Sequence, residues 1–149
     1  MRMRDFSRSL PMALLRAREA VMAEFRPILA AHDITEQQWR VLRALVDEPA
    51  GLGVGQVAEM TFLLGPSVSR IVAALHERGL VSRAGVDHDG RRAVLTVTPA
   101  GVRLYESIAP ASESAYQRVE QRFGPKQLDQ LYRLLDELTS SQRSSAESS

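Results

Sequence analysis

The stretch from Gly55 to Gly101 decides the fold and reads GQVAEMTFLLGPSVSRIVAALHERGLVSRAGVDHDGRRAVLTVTPAG. Its pattern predicts a short helix over 54–60 and then a turn over 61–65. Pro66 suits the first turn of a second helix, because its missing N–H would be unpaired there anyway. That helix carries one apolar stripe at helical spacing, formed by Val68, Ile71, Val72 and Leu75. Two short helices joined by a tight turn indicate a helix-turn-helix.

A β-hairpin is predicted directly after the second helix. Residues 80–86 are short and strand-like, residues 87–90 are dense in turn formers, and residues 93–98 alternate in the period of a strand. Thr98 then caps a new helix that has Pro99 at its first position. This order is that of a winged helix-turn-helix. The predicted fold class is therefore mainly α with a small β-hairpin wing (α+β).

Amphipathic helices are predicted on both sides of this segment. A long one covers 10–31, and Pro27 within it should bend or split it. Thr35 is a good N-cap for a helix over 36–47. Two further helices are predicted after the hairpin, over 102–123 and 126–138.

We expect one intertwined domain made of four segments. These are an N-terminal dimerisation helix (1–34), a winged helix-turn-helix lobe (35–100), C-terminal dimerisation helices (101–138) and a disordered tail (139–149). The terminal helices carry more apolar surface than a small winged domain needs, and such a surface is a liability on a monomer. This favours a homodimer, with an intrachain helix pair as the alternative. The tail is rich in serine and too polar to fold.

The composition excludes several classes of protein. The 149 residues contain no cysteine and only three histidines, far apart in sequence, so neither a metal site nor a cofactor is expected. The chain shows no secretory signal and no run of apolar residues long enough for a membrane span, so a cytoplasmic location is expected. Asp87, His88 and Asp89 could imitate a catalytic group, but they fall on the predicted hairpin tip. Because no catalytic motif occurs elsewhere in the sequence, we expect that the protein is not an enzyme.

The exposed face of the second helix is the predicted DNA-binding surface. The net charge of only +1 is modest, but Ser67, Ser69, Arg70 and Ala73 lie opposite the apolar stripe. Small residues allow the helix to approach the major groove closely, and the serines can donate to phosphates or base edges. Arg70 is the best candidate for bidentate recognition of guanine. The alternative is that Arg70 forms an ordinary surface salt bridge.

The predicted hairpin tip supplies the second candidate contact with DNA. It would place Arg91 or Arg92 against the minor groove, where the electrostatic potential is most negative. The alternative is that both arginines belong to a solvated turn.

The segments Gly79–Arg83 and Asp89–Gly101 resemble the signature of the MarR family. The wing of that family has the pattern D-x-R, a strand and then L-T-x-x-G. Here Val97–Gly101 corresponds to the L-T-x-x-G part. The resemblance covers residues 10 to about 138. The N-terminal half, in particular 17–27 and 34–40, further resembles the regulators of homoprotocatechuate degradation operons within that family.

This resemblance implies a dimer whose two wings flank a palindromic operator in double-stranded DNA. Asp89 would pair with Arg91 or a neighbour to shape the wing, and Arg91 would enter the minor groove. Ser67, Ser69 and Arg70 fall where the recognition helix of the family meets DNA. The implied function is a ligand-responsive repressor of an adjacent operon, with aromatic catabolism favoured. One departure is the turn over 61–65, which is more apolar than many turns of the family.

The resemblance also implies a small aromatic acid as the effector. Arg16 or Arg18, beside apolar residues such as Met22, would receive its carboxylate through the planar guanidinium. Trp39 would supply a wall for the ring, and Tyr116 a hydroxyl group. The alternative is that Trp39 is a core residue and that the arginines form salt bridges within the dimer.

A second function from a different class remains open at the level of sequence. Winged helices also serve as protein–protein interaction modules that never touch DNA. Binding to the upstream DNA of the chain's own gene, with a steep loss of affinity in salt, separates the two functions.

Overall fold

The computed structural model describes residues 1–85 and 93–149. These residues form two compact units, 1–112 and 113–149, of which the first contains the winged helix-turn-helix. A short 3-10 turn at Phe6–Arg8 precedes the first helix. The helices and strands, in chain order, are α1 (Leu10–Met22), α2 (Arg26–Ala30), α3 (Glu36–Asp47), α4 (Val54–Thr61), α5 (Gly65–Glu77), β1 (Val81–Ala84), β2 (Val94–Val97), α6 (Pro99–Phe123) and α7 (Pro125–Glu147).

The core of the first unit lies between α3, α4, α5 and the hairpin. Three residues of the predicted stripe of α5, Val68, Val72 and Leu75, are buried in it, and Ile71 is partly buried. Other fully or nearly fully buried members come from every neighbouring element and include Leu29, Val41, Leu42, Leu45, Val57, Val81, Leu95 and Ile108. Interiors of this kind are close-packed, so α5 is held in one orientation relative to α3 and α4.

The predicted long helix over 10–31 is split, and the next helix has the predicted bounds. Pro27 lies in the first turn of α2, where its missing N–H costs no helical hydrogen bond. α3 begins with a capping box: the Gln38 N–H donates to Thr35 Oγ1 at 3.1 Å, and the Thr35 N–H donates to Gln38 Oε1 at 3.1 Å. This reciprocal pair fixes the start of α3.

The turn of the helix-turn-helix covers three residues, Phe62, Leu63 and Leu64. Phe62 ends α4 in the left-handed region, with φ 57° and ψ 35°. Pro66 lies in the first turn of α5 as predicted. Among the described residues no single helix is long and apolar enough to cross a membrane; α4 and α5 pass that test only when they are taken together, and they are bent by 107°.

The hairpin is antiparallel, and its register pairs Val81 with Val97 and Ala84 with Val94. Leu95 faces the core and Val94 is exposed, which settles the direction of the alternation. Thr98 Oγ1 accepts the Gly101 N–H at 3.1 Å and donates to the Gly79 carbonyl at 2.6 Å. Thr98 therefore caps α6 as predicted and ties the start of α6 to Gly79, which follows α5.

The second unit contains the end of α6 and all of α7. The prediction of a disordered tail over 139–149 is wrong, because α7 continues to Glu147 without burying any residue. Hydroxyl groups along this segment donate to the carbonyl one turn earlier: Thr139 to Leu135 at 2.9 Å and Ser144 to Ser140 at 3.0 Å. Extending an existing helix adds one backbone hydrogen bond for each residue fixed, so a polar sequence can continue a helix that it could not nucleate.

Candidate DNA-binding and effector sites

The outward face of α5 presents the residues predicted to meet DNA. Ser69, Arg70 and Ala73 are exposed and Ser67 is half-buried, whereas Val72 on the opposite face is almost completely buried. Glu77, the last residue of α5, is the only acidic residue of this helix. The outward face therefore offers hydroxyl groups, one guanidinium and little steric bulk near the start of the helix.

A shallow groove runs beside these residues, between α5 and the start of α3. It has a volume of about 300 Å³, and its lining consists of Thr35, Gln37, Gln38, Ser67, Arg70, Ile71 and Ala74. The lining includes amides, hydroxyl groups and a guanidinium but no carboxylate. Such a set of groups suits contact with phosphate and with base edges.

The far end of α5 is anchored by polar contacts with the rest of the first unit. Arg78 Nη1 donates to the Asp33 carbonyl at 2.6 Å, and His76 Nδ1 lies 3.0 Å from the Val81 carbonyl oxygen. Gly79 adopts φ 73°, the left-handed conformation in which glycine commonly ends a helix. These contacts fix the axis of α5 at the end away from Ser67, which preorganises the exposed face.

The three predicted wing residues, Asp89, Arg91 and Arg92, lie outside the described residues. The strands that carry the wing are described, and Arg83 on β1 is exposed. The wing assignments therefore remain predictions.

Arg18, one of the two predicted carboxylate receptors, is paired within the chain. Its Nη2 donates to Glu36 Oε1 at 2.6 Å. Arg40 binds the same carboxylate, with Nη2 at 2.9 Å from both oxygens. Arg40 Nη1 also donates to the Thr61 carbonyl at 2.7 Å. These hydrogen bonds connect Arg18 on α1, through Glu36 and Arg40 on α3, to Thr61, the last residue of α4.

The other predicted effector residues occupy separate environments. Arg16 Nη1 donates to the Ser7 carbonyl at 3.0 Å. Met22 is half-buried at the end of α1. Trp39 is only 8% exposed, and its ring stacks on Tyr105 with centroids 5.6 Å apart. Tyr116 belongs to the second unit and is exposed. None of these four residues lines the cavities of about 500, 300 and 210 Å³ in the first unit.

A second ion pair joins α1 to α2 at the surface. Arg26 donates to both carboxylate oxygens of Glu19, at 2.7 and 2.9 Å. This hydrogen bonding lowers the pKa of Glu19 below its ordinary value. A lowered carboxylate pKa stabilises the folded state above the unfolded-state pKa, and the contribution is lost as the pH falls through the lowered value. Both side chains lie at the surface, so solvent screens the pair.

Sequence reasoning missed Glu36, Arg40 and Tyr105. The i,i+4 spacing of Glu36 and Arg40 on one helix was a usable signal for an ion pair. The partnership of Trp39 with Tyr105 had no sequence signal, because helical periodicity carries no information about a residue two helices and a hairpin away. Within the described part of the chain, no cluster of three or more acidic or histidine side chains could hold a metal ion.

Comparison with known proteins agrees with this geometry. A family model described as "MarR family" matches residues 32–92. The homoprotocatechuate degradative operon repressor of Escherichia coli is 38% identical over 129 residues, covering 87% of this chain and 86% of the relative. The HTH-type transcriptional regulator FarR of Neisseria gonorrhoeae is 38% identical over 130 residues, covering 87% and 88%. The crystal structure of NadR in complex with 4-hydroxyphenylacetate has a TM-score of 0.74 at 36% identity, covering 93% of this chain and 97% of NadR.

The fold and the exposed face of α5 define a winged helix-turn-helix protein. The identity and coverage of its relatives show more: the chain belongs to the MarR family. The narrower resemblance to regulators of homoprotocatechuate degradation operons, predicted from the N-terminal half, is confirmed by the similarity to the repressor of that name.

Proposed function

We propose that this protein is a transcriptional repressor that binds a palindromic operator as a homodimer and leaves it when an aromatic acid binds. The observation that carries the proposal is the division of α5 into a buried apolar face and an exposed face bearing Ser69, Arg70 and Ala73. A helix presented in this way fits the major groove of duplex DNA. The relatives named above are a repressor and a transcriptional regulator. The protein would act by binding alone, in the cytoplasm, without catalysis.

The homodimer is supported by apolar side chains that the single chain leaves exposed. On α1, Leu10 is 50% exposed and Leu15 49%. On α7, Leu134 is 61% exposed and Tyr132 56%. A second copy would cover such residues and would set the distance between the two recognition helices. We therefore assign residues 1–34 and 101–138 to dimerisation and 35–100 to DNA binding.

The effector is proposed to be a small phenolic or aromatic acid, the class to which the 4-hydroxyphenylacetate bound by NadR belongs. Arg18 or Arg16 would receive the carboxylate, and the half-buried Met22 and the edge of Trp39 would contact the ring. Arg18 already holds Glu36, so a ligand carboxylate would compete with that internal partner. Loss of the Arg18 contact would leave Glu36 held by Arg40 alone. Arg40 also donates to the Thr61 carbonyl, next to the turn between α4 and α5.

The proposal is tested by selecting duplexes from a random-sequence pool and measuring their affinity against salt and against 4-hydroxyphenylacetate. We expect a palindromic site, an affinity that falls steeply with salt, and release by the acid but not by 4-hydroxyphenethyl alcohol, which has no carboxylate. Arg18→Ala and Arg16→Ala, compared as a matched pair, identify the receptor. Failure to enrich any duplex would contradict the proposed function. Release by the alcohol as readily as by the acid would contradict the carboxylate receptor alone.

Replacement of Arg91 with alanine should weaken operator binding roughly tenfold, because a guanidinium in the minor groove loses both its hydrogen bonds and its attraction to the narrow groove. The measurement is a fluorescence anisotropy titration of the selected duplex at several salt concentrations. Arg92→Ala is the matched control, since it removes the same charge from the neighbouring position. Equal effects of the two substitutions would argue for general attraction to phosphate instead of a specific contact by Arg91.

A further inference from the structure

The turn between α4 and α5 exposes two large apolar side chains. Phe62 is 81% exposed and Leu64 is 77% exposed, whereas Leu63 between them packs against the core. Thr61, just before the turn, is buried, and its hydroxyl donates to the Val57 carbonyl at 2.6 Å. The backbone therefore turns Leu63 inward and its two neighbours outward. We call Phe62 and Leu64 the turn pair.

Both positions of the turn pair would be more stable with a different residue. Phe62 adopts φ 57°, a region that phenylalanine disfavours and that glycine or asparagine occupies readily. Leu64 is the N-cap of α5 and makes no side-chain cap hydrogen bond. Serine, threonine, aspartate and asparagine are the residues that stabilise an N-cap. Two exposed apolar side chains at positions unsuited to them point to a role in binding.

The place of the turn pair indicates what it binds. Leu64 directly precedes the first turn of α5, and the N-terminal residues of a recognition helix are those that contact base edges. The first turn of α5 contains no acidic residue that would repel phosphate. The turn pair is thus continuous in the chain with Ser67, Ser69 and Arg70. Among the base-edge groups of the major groove, the C5-methyl of thymine is the one that an aliphatic side chain recognises.

We infer that Leu64 contacts a thymine methyl group in each half-site of the operator and that Phe62 covers the adjacent sugar–phosphate edge. This inference rests on the proposed function, and it extends the recognition surface beyond the hydrogen-bonding residues of α5. It assigns part of the sequence specificity to apolar contact. A protein docking on the turn pair is the competing outcome.

The experiment compares thymine with uracil, which differs from it only by the absence of the methyl group. The probe is the tightest duplex selected by the protein from a random pool, synthesised with deoxyuridine in place of thymidine at one symmetric pair of positions at a time. For the wild-type protein we expect one such pair to lower the affinity roughly fourfold per half-site, the value of burying a single methyl group. Changes at other thymidines should have little effect.

The matched variants are Leu64→Ser and Leu64→Met. Serine is a favourable N-cap, so Leu64→Ser should fold at least as stably as the wild type while its affinity becomes equal for the thymidine and deoxyuridine duplexes. Leu64→Met keeps an apolar side chain and should keep a measurable preference for thymidine. The thermal midpoint of each variant is measured alongside its affinity.

Three results would overturn the inference. A wild-type protein indifferent to deoxyuridine at every position would remove the methyl contact, and the proposed repressor function would stand. A Leu64→Ser variant with wild-type affinity and an unchanged preference for thymidine would leave the turn pair to a protein partner. If no duplex is enriched at all, the proposed function fails, and this inference fails with it.

Discussion

Replacement of Arg70 with alanine is expected to lower the affinity for the operator roughly tenfold to a hundredfold, which corresponds to a loss of about 1–3 kcal/mol. Arg70 is exposed on the outward face of α5 and lines the groove that it shares with Ser67 and Gln37. A bidentate guanidinium–guanine contact is both strong and specific, so its loss should also relax the preference for guanine at one position of each half-site. Anisotropy titrations against duplexes with every base at that position measure both effects.

Two variants separate the role of Arg70 from that of general charge. Arg143→Ala removes one positive charge from the exposed end of α7 and should leave operator affinity unchanged. Arg70→Lys keeps the charge but lacks the planar donor fork, so it should retain the salt dependence and lose the preference for guanine. If Arg70→Ala instead weakens binding uniformly to all duplexes, Arg70 contacts phosphate and the guanine assignment is wrong.

Replacement of Gly101 with alanine is expected to destabilise the fold by about 3 kcal/mol. A Cβ at Gly101 would lie 2.3 Å from the Leu80 carbonyl oxygen and 2.7 Å from Val97 Cγ2. Leu80 cannot move freely, because its carbonyl accepts the Thr98 N–H at 3.1 Å and its own N–H is bonded to Leu75 at 2.9 Å. The start of α6 and the end of the recognition helix would have to separate. A fall of roughly 6–12 °C in thermal midpoint is the corresponding observable.

Gly55→Ala is the matched control for this prediction. Gly55 lies inside α4, and no atom lies within 4 Å of the position that a Cβ would take, so alanine meets no obstacle there. Because alanine favours a helix over glycine by up to about 1 kcal/mol, this substitution should leave the thermal midpoint unchanged or raise it. A Gly101→Ala variant as stable as Gly55→Ala would show that the close approach of α6 to Leu80 is not required for the stability of the fold.

Much of the fold could be predicted because it depends on local chemistry. The bounds of α3 follow from Thr35 as the N-cap and from the apolar period after it, and the structure has the same bounds. Pro66 and Gly79 mark the start and end of α5 through the conformations that they favour. The alternation over 93–98 predicts a strand, and the structure has it at Val94–Val97. Its register with β1 follows once the hairpin closes.

The remaining features depend on contacts that sequence spacing does not encode. Arg18 on α1 pairs with Glu36 on α3, beyond a break in the helix. Trp39 on α3 stacks on Tyr105 of α6, which lies much later in the sequence. The helical end of α7 has no amphipathic signal because it buries nothing, and it follows from propagation of the preceding turns. The exposed face of α5 could be predicted, but the ion pair of Arg18 with Glu36 could not.

Because of the left-handed backbone at Phe62, selection for stability and selection for repression should favour different residues at this position. An aromatic residue in this region costs about 1 kcal/mol relative to glycine, and that cost is present whether or not DNA is bound. A library screened for resistance to heat should therefore enrich glycine or asparagine at position 62. The same library screened for repression of a reporter gene should retain phenylalanine. Divergent outcomes of the two screens would identify this residue as one kept for its activity at the expense of the fold.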